Sequence, residues 1–418
     1  MLDSSLDLVH FQRIVEARST TLRAAQGDAD LADAALRQTE IFQNPSLDAT
    51  WGTIPLGDTN PANLAEPFLN VPNYSIGLSY TVLLGKRGPN QERARYELDA
   101  ARSSYRRQRR LEALGLAGIA GRIAALQLRR DGMVELIAQV KEQLELTKSR
   151  RDAAFAAPLD VDRMEIELQR SEQQLKSADS DIDEALAACA ALAGSSCARF
   201  ASAEEARHFL DRWIDQPPSL EVSDRRADLN ALADHRAAAL AEQRLAENAA
   251  IPDPTLRLAY THDRFVASGN QQNSLTFSVA LPLPVFDHGQ ALSQGAAAKV
   301  SAYSEQRDRL LAAARARIPA LADRLEQQRA RKNSLVSEAL PRADRVLSDL
   351  HKAAESRLIP LTDLIQARRS VSDLLLELAD SYSDAFVAAL ELLAETGGEQ
   401  PAGLDGTSTS TSTVKENE

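Results

Sequence analysis

The chain of 418 residues is 44% hydrophobic and 26% charged but only 5% aromatic, a composition typical of a helix-rich protein and unlike that of disordered or collagen-like chains. Its 60 acidic and 48 basic residues give a formal net charge of −12, which argues against a nucleic-acid partner because such proteins usually carry a clustered basic face. No run approaches the roughly 18 consecutive apolar residues of a membrane span, so we expect no transmembrane helix.

A duplication organises the sequence. Three segments recur about 200 residues later, a period far longer than that of solenoid repeats: 45–47 as 254–256, 75–80 as 274–279, and 158–159 as 360–361. The sequence therefore predicts two similar halves, 1–200 and 201–396. Each half is made of a helix, two strands, a long helix, a turn and a returning helix.

Four predicted strands alternate apolar and polar residues, at about 45–56, 74–84, 254–263 and 273–284. In the second strand, for example, Ile76, Leu78 and Tyr80 alternate with glycine and serine. Each half thus supplies a hairpin with one apolar and one polar face.

Long helices are predicted at about 88–153 and 289–356, with returning helices at about 160–192 and 361–395. Apolar residues within 116–144, 161–185 and 364–378 fall mainly on the a and d positions of heptads, which is typical of coiled coils. A helix of roughly 65 residues spans about 100 Å, more than a globular domain needs. The segment 193–218 breaks the heptads and is predicted to connect the halves, whereas the Thr- and Ser-rich tail at 397–418 is predicted to be disordered.

Two cysteines, Cys189 and Cys197, lie eight residues apart beside the turn-forming segment 194–196. They form either a disulfide, which an oxidising compartment favours, or two small buried thiols, and the sequence leaves both open. Residues 1–5 show no signal-peptide features, so either the protein is cytosolic or its signal has been removed.

Four short strands cannot close a barrel, yet their apolar-out and polar-in alternation suits strands that cross a bilayer. Several copies must then pool their strands, and we prefer three copies because twelve strands leave an aqueous lumen wide enough to feed a tube of helices. The alternative is a small half-buried sheet lying on a helical bundle.

Several segments resemble the TolC-like outer-membrane factor family over about residues 3–396. They read Asn-Pro-Ser-Leu at 44–47, Arg-Ala-Asp-Leu at 226–229, Pro-Asp-Pro-Thr-Leu at 252–256 and Ala-Leu-Pro-Leu-Pro-Val-Phe-Asp-His-Gly-Gln at 280–290. The last of these, with 261–265 and 268–271 before it, looks most like the branch that serves cobalt, zinc, cadmium or nickel efflux of the resistance-nodulation-division type.

This resemblance implies a homotrimer whose twelve-stranded β-barrel lies in outer-membrane lipid of a Gram-negative bacterium and continues as a long periplasmic α-helical barrel. A periplasmic adaptor would join this barrel to an inner-membrane, proton-driven resistance-nodulation-division pump. The chain would be a passive duct, with neither a catalytic site nor a cofactor, and divalent heavy-metal cations would be its cargo. A duct for drugs or other small molecules is the alternative cargo class.

The resemblance also places the periplasmic tip at 150–162 and 357–366. Acidic residues that ring the pore in the family correspond here to Asp363 and to Gln366, so the ring is reduced. The tyrosine that often latches the closed tip corresponds to Ala354, and the usual glycine before the turn to Arg357.

Physical reasoning gives these tip residues two roles. Three copies of Asp363 in a narrow throat would favour cations, as acidic rings do in cation pores. Asp160 and Asp162 could enlarge that ring, or pair with Arg150, Arg151 or Arg357 across protomers to hold the tip shut. The alternative for the aspartates is helix capping, because carboxylates satisfy the free N–H groups at a helix start.

Other functional classes find less support in the sequence. The six histidines are not spaced three to five residues apart, so no metal site is predicted. There is no Gly-rich phosphate loop and no nucleophile elbow, so an enzyme is not expected. A soluble coiled-coil scaffold is the main competitor, and it would not need two matched hairpins with apolar faces and nearby aromatic residues.

Overall fold

The computed structural model describes residues 2–52, 73–216, 219–223, 226–263, 271–355 and 361–398. The helices and strands in these ranges, in chain order, are α1 (Leu8–Arg18), α2 (Thr20–Glu40), β1 (Ser46–Gly52), β2 (Asn73–Thr81), α3 (Arg87–Asp152), α4 (Pro158–Ala193), α5 (Ala203–Ile214), α6 (Ala227–Glu247), β3 (Thr255–Asp263), β4 (Asn273–Ala280), α7 (Gln290–Ser334), α8 (Leu340–Glu355) and α9 (Leu361–Thr396).

The chain forms two compact units that cut across the two halves of the sequence. A helical unit comprises Met1–Ala25, Tyr105–Leu229 and Arg309–Glu418, and a sheet unit comprises Gln26–Ser104 and Asn230–Asp308. Each unit therefore draws on both sequence repeats, which differs from a chain whose repeats fold side by side as separate domains.

In the helical unit, α4 runs antiparallel to the adjoining part of α3. Three ion pairs join the two helices with matching register: Lys148 with Glu165, Lys141 with Glu172 and Arg130 with Asp179. The Arg130 guanidinium donates to the Asp179 carboxylate at 2.8 Å and holds the pKa of that carboxyl below its usual range. Arg199, from the segment after α4, donates to the same carboxylate at 3.3 Å.

An aromatic cluster occupies the core of the helical unit, where α5 packs against α1 and α9. The Phe209 ring lies 5.7 Å from that of Phe386 and 6.4 Å from that of Phe11, between ring centroids. Gly121 of α3 permits this packing, because a Cβ at that position would lie 2.2 Å from a ring carbon of Phe386. The connector between the halves is thus a core element of this unit and more than a linker.

One buried cation anchors α5 to α7. Lys332 is almost fully buried, and its ammonium donates to Asp211 at 2.8 Å and to Asp215 at 3.2 Å. Arg329 donates to the carbonyl oxygen of Ile214 at 2.7 Å, which satisfies an orphan acceptor at the helix end. A π-helical turn, Leu335–Ala339, follows directly and interrupts the second long helix, which was predicted as continuous over about 289–356.

Among the described residues, one helix passes the length and composition test for a membrane span, although no such helix was expected from the sequence. It is α3, and 61% of its apolar window is buried inside the protein. A buried core helix meets the same test, so this feature is weak evidence for a span.

The sheet unit contains one antiparallel sheet in the order β1-β2-β3-β4. The two predicted hairpins join because β2 pairs with β3, with Ile76 opposite Tyr260 and Leu78 opposite Leu258. The strand β4 ends at Ala280 and not at the predicted 284, because Pro282 and Pro284 have no N–H to donate to a ladder. The part of the first predicted strand beyond Gly52 lies outside the described residues, as do 399–418 of the predicted tail.

Candidate functional site

One face of the sheet is apolar from edge to edge. The register aligns Leu47, Leu78, Leu258 and Phe277 in a single row across all four strands. These side chains are not covered by other described parts of the chain, and Phe277 is 66% exposed. The remaining large exposed members of the face are Trp51, Tyr74, Ile76, Leu256, Tyr260, Leu275 and Val279. Soluble monomers rarely expose a contiguous apolar surface of this kind.

The opposite face of the sheet is polar and contains an ion pair that spans three strands. Arg257 of β3 reaches over Gly77 of β2 and donates from Nε to the Asp48 carboxylate of β1 at 3.2 Å. A Cβ on residue 77 would lie 2.7 Å from the guanidinium, so glycine lets Arg257 take this path across β2. The rest of this face consists mainly of serine and threonine, at 46, 50, 75, 79, 255, 261, 274, 276 and 278.

An aromatic row crosses one end of the apolar face. Trp51, Tyr74 and His262 are register partners on β1, β2 and β3. The Tyr74 and His262 rings stack with centroids 4.9 Å apart, and Trp51 lies 6.5 Å from Tyr74. Aromatic girdles of this kind occur where a membrane strand leaves the hydrocarbon, because such rings are apolar bodies with polar tips.

The sheet therefore has the two-faced pattern of a membrane-spanning strand set. It also has two edges, since β1 and β4 each pair with one strand only in the described part of the chain. An apolar sheet with open edges is an aggregation hazard in water unless further strands cover its edges and lipid covers its face.

The turn between α3 and α4 is the first of the two predicted tips. The N–H of Phe155 donates to the carbonyl of Arg150 at 2.7 Å, and that of Ala154 to Arg151 at 2.9 Å. This is a Schellman ending, and it places Ala154 in the left-handed region with φ of 61°. Phe155 and Leu159 are exposed on this turn.

Asp160 acts as a capping residue at the start of α4. Its carboxylate accepts the N–H of Ala157 at 3.2 Å, and its own N–H donates to the Ala157 carbonyl at 3.0 Å. Pro158 occupies the first turn, where a missing N–H costs nothing. Asp162 is exposed, and within the chain Arg151 pairs with the adjacent Asp152 at 2.7 Å.

The second tip is only partly described. Arg357 lies outside the described residues, and the side chain of Ala354 does as well. Asp363 and Gln366 are both exposed in the first two turns of α9. The structure thus leaves the predicted acidic positions open to solvent in a single copy of the chain.

A buried arginine that the sequence did not single out lies on α9 between two cavities. Arg368 is 7% exposed, and its Nε and Nη1 atoms have no hydrogen-bond partner. Burial lowers the pKa of this guanidinium, and Glu142 offsets the effect in part. The larger cavity, of about 440 Å³, is lined by α3, α8 and α9 and includes Leu136, Leu340 and Val371. The sequence pattern does not distinguish Arg368, because it lies beside the apolar heptad stripe, where arginines are commonly exposed.

Cys189 and Cys197 are joined in a disulfide, with Cα atoms 6.0 Å apart. Gly194, with φ of 63°, ends α4 between them and turns the chain back. Disulfides persist in oxidising compartments such as the bacterial periplasm. Among the described residues, no group of three or more histidines, cysteines or carboxylates is placed to hold a metal ion.

No protein-family model matches the sequence, and no curated protein matches it. Solved structures do match. The outer membrane protein VceC from Vibrio cholerae is similar with a TM-score of 0.71 and 18% identity, over 94% of this chain and 96% of VceC. The chain has the fold of an outer-membrane channel.

Two further solved structures agree. A membrane protein from Pseudomonas aeruginosa has a TM-score of 0.72 and 18% identity over 95% of this chain and 97% of its own. The MtrE outer membrane channel of Neisseria gonorrhoeae, in its open state, has a TM-score of 0.68 and 17% identity over 94% of this chain and 89% of MtrE. The predicted TolC-like fold, mainly helical with a small antiparallel sheet, is confirmed, and the open edges suit a trimeric barrel.

Proposed function

We propose that the chain is the outer-membrane channel subunit of a tripartite efflux system. Three copies would form a passive duct that receives substrates from a periplasmic adaptor and an inner-membrane resistance-nodulation-division pump. The observation that carries this proposal is the apolar sheet face, which described parts of the chain leave uncovered. Outer-membrane lipid supplies the apolar solvent that this face needs, and sister copies supply strands for the two open edges.

Bilayer conductance tests this function. Purified full-length protein added to a planar lipid bilayer should produce discrete, stable conductance steps that favour cations over anions. A protein that stays soluble without detergent and produces no steps would instead be the soluble coiled-coil scaffold.

We further propose that the cargo is divalent heavy-metal cations. Support comes from the segment 280–290, which resembles the heavy-metal branch of the TolC-like family, and from the acidic balance of the chain. Deletion of the gene should sensitise cells to zinc, cobalt, cadmium or nickel, and expression of the chain should restore resistance. Sensitisation to drugs alone would assign the channel to drug export.

The proposed pore constriction is built from Asp363 and Gln366, with Asp162 at the matching first-half turn. The exposure of Asp363 at the start of α9 supports this role. Asp160 is a weaker member of the ring because its carboxylate caps α4. Arg150, Arg151 and Arg357 are proposed to latch the closed tip by pairing with carboxylates of a neighbouring copy.

The constriction has its own test. Asp363→Asn should reduce the cation preference of the open channel, since three charges leave the narrowest ring together. Asp323→Asn removes the same charge from an exposed position on α7 and serves as the matched control. Equal selectivity in both variants would reject Asp363 as a pore residue while leaving the channel function intact.

A further inference from the structure

An apolar segment that the channel function does not explain follows β4. Residues 281–286, here called the proline segment, read Leu-Pro-Leu-Pro-Val-Phe. Leu283 is 74% exposed and Phe286 is 92% exposed, the largest exposed fraction among the large apolar side chains described. The segment comes after the last ladder residue, Ala280, so these side chains are not part of the sheet face.

The backbone of the proline segment is held in place. Val285 N–H donates to the Leu283 carbonyl at 2.9 Å, and the two prolines restrict the chain around Leu283. Beyond the segment, the side-chain amide of Gln290 donates to the Phe286 carbonyl at 3.0 Å. An exposed aromatic ring on an ordered backbone loses little conformational entropy when it binds, which is the property of a binding anchor.

A matching cavity lies at the other edge of the sheet unit. It has a volume of about 510 Å³ and is formed by residues before β1, residues after β2, the start of α3 and Leu245. Its apolar lining residues are Ile41, Phe42, Tyr80, Val82, Leu83 and Leu245. We call it the Phe42 groove. The Arg87 guanidinium lies over the Phe42 ring, 3.9 Å from its centroid, and donates to the Glu40 carbonyl at 2.6 Å, so the groove wall is fixed to α3.

Strand order places the proline segment and the groove at the same end of the sheet. All three pairings are antiparallel, so the end of β4 and the start of β1 lie at one end but on opposite edges. Three strand spacings of about 4.8 Å separate those edges, roughly 14 Å in all. The proline segment of one copy therefore cannot fill its own groove without leaving its edge. If β4 of one copy pairs with β1 of the next, however, the two surfaces meet.

Charge complements this arrangement. The exposed Asp287 directly follows Phe286, whereas the guanidinium of Arg87 lines the groove. Lys86 also lines it, but its ammonium already pairs with Asp253 at 2.5 Å. An acidic residue beside the anchor and the Arg87 cation beside its receptor favour one orientation of docking and oppose the reverse one.

We infer that the proline segment of one copy binds in the Phe42 groove of a second copy of this chain, with Phe286 as the anchor. The inference rests on the proposed function, because that function requires several copies to share one barrel. Each copy uses its segment and its groove once, so the contact is head-to-tail and builds a ring. The inference goes beyond strand pairing, since it assigns a side-chain contact that fixes which edge meets which.

Cysteine cross-linking of the full-length protein tests the contact. Val285→Cys and Ile41→Cys are made in separately tagged chains and co-expressed, and the native cysteines do not interfere because they are already paired. Mild oxidation should join the two kinds of chain and should join neither kind to itself. A chain that carries both substitutions should give a ladder of bands that ends at the size of the ring.

The cross-linking experiment has one control pair of cysteines and two outcomes that would overturn the inference. Leu159→Cys replaces Val285→Cys in the control, since Leu159 is also exposed and apolar, and it should not cross-link with Ile41→Cys. Dimers formed by Val285→Cys chains alone would show a two-fold contact and overturn the inference. Cross-links confined within single chains that carry both substitutions would also overturn it.

The anchor role is tested by truncation. Phe286→Ala should lower the fraction of assembled rings in detergent about tenfold or more, as loss of an aromatic anchor does at interfaces. Phe155→Ala, which removes an equally large exposed side chain from the turn between α3 and α4, should leave assembly unchanged in sedimentation experiments. If both variants lower the fraction of assembled rings equally, Phe286 is not the anchor of the interface.

Failure of this inference is distinguishable from failure of the proposed function. If the cysteine variants conduct normally but their cysteines do not cross-link on oxidation, the contact is refuted and the channel function is retained. Rings that cross-link as expected but never conduct in a bilayer would support the contact and refute the channel.

Discussion

The helical unit and the sheet unit treat large apolar side chains in opposite ways. Phe386 of α9 is 1% exposed and packs on Phe209 and Trp213, whereas Phe277 of β4 is 66% exposed. A phenylalanine side chain is therefore buried among other side chains in one unit and exposed on the surface of the other. The difference indicates two solvents: water around the helices and an apolar medium around the sheet.

The largest expected effect on stability is in the core of the helical unit. Phe386→Ala should lower the free energy of unfolding by about 3 to 5 kcal/mol, because it leaves a cavity among packed rings. Phe277→Ala should change it by less than about 0.5 kcal/mol in mild detergent, since the side chain has no protein contacts of that quality. Urea titration followed by circular dichroism measures both, and a similar loss in the two variants would contradict the assignment of solvents.

A charge on the sheet tests the other half of the comparison. Phe277→Arg should cost about 2 to 4 kcal/mol of folding free energy in lipid vesicles, because the guanidinium enters hydrocarbon. Thr276→Arg, one residue away on the polar face, is the control and should cost far less. If both variants fold equally well in vesicles, the apolar face does not meet lipid.

Arg368 and Lys332 are both buried cations of the helical unit, but among the described residues only Lys332 has hydrogen-bonded carboxylate partners for its charge. Arg368→Met should raise the free energy of unfolding by about 2 kcal/mol, because the buried guanidinium has two unpartnered nitrogen atoms and an apolar side chain removes that cost. Arg369→Met removes an exposed arginine that pairs with Glu167, and it should change stability by less than about 1 kcal/mol. A clear loss of stability in Arg368→Met would reveal a partner for Arg368 in the assembled protein.

A smaller effect is expected at the first tip. Ala154→Gly should stabilise the protein by about 1 kcal/mol, because alanine is strained at φ of 61° and glycine is not. Ala153→Gly provides the control and should be neutral or slightly destabilising. Thermal unfolding of the three proteins gives the comparison, and a lower midpoint for Ala154→Gly would count against the Schellman ending.

The smallest effect is a pH dependence in the helical unit. The pKa of Asp179 is lowered by Arg130, so its contribution is present above the unfolded pKa of about 4 and is lost as pH falls through the folded value. Asp179→Asn should therefore be less stable than the parent at pH 7 and equal to it near pH 2. A difference that persists undiminished at the lower pH would rule out this carboxylate as the cause.

Much of the fold could be predicted, because the spacing of apolar residues along the chain shows which face of each helix or strand avoids water. Alternation at Ile76, Leu78 and Tyr80 predicts a two-faced strand whatever covers its apolar side, and heptads predict long antiparallel helices. Sequence alone did not reveal that β2 and β3 pair across the duplication, since register between distant strands depends on the assembled sheet. The π-helical turn at Leu335–Ala339 was also missed, because its sequence, Leu-Val-Ser-Glu-Ala, differs little from that of a regular helix.

The candidate site was less accessible to sequence reasoning. The aromatic row was missed because Trp51, Tyr74 and His262 come together only through strand register. Asp48 and Arg257 are 209 residues apart, and the guanidinium reaches the carboxylate by passing over residue 77, which has no side chain. The tip residues were placed by resemblance, and Asp160 illustrates the competing role, since its carboxylate caps a helix.

Tryptophan quenching tests the central claim directly, because each unit contains one tryptophan. Trp51 lies on the sheet face and is 63% exposed, whereas Trp213 is 3% exposed in the helical core. With Trp213→Phe and Trp51→Phe as single-tryptophan proteins in vesicles, lipids brominated on their chains should quench Trp51 strongly and Trp213 hardly at all. Equal quenching of both, or quenching of Trp51 by a water-soluble quencher alone, would contradict a lipid-facing sheet.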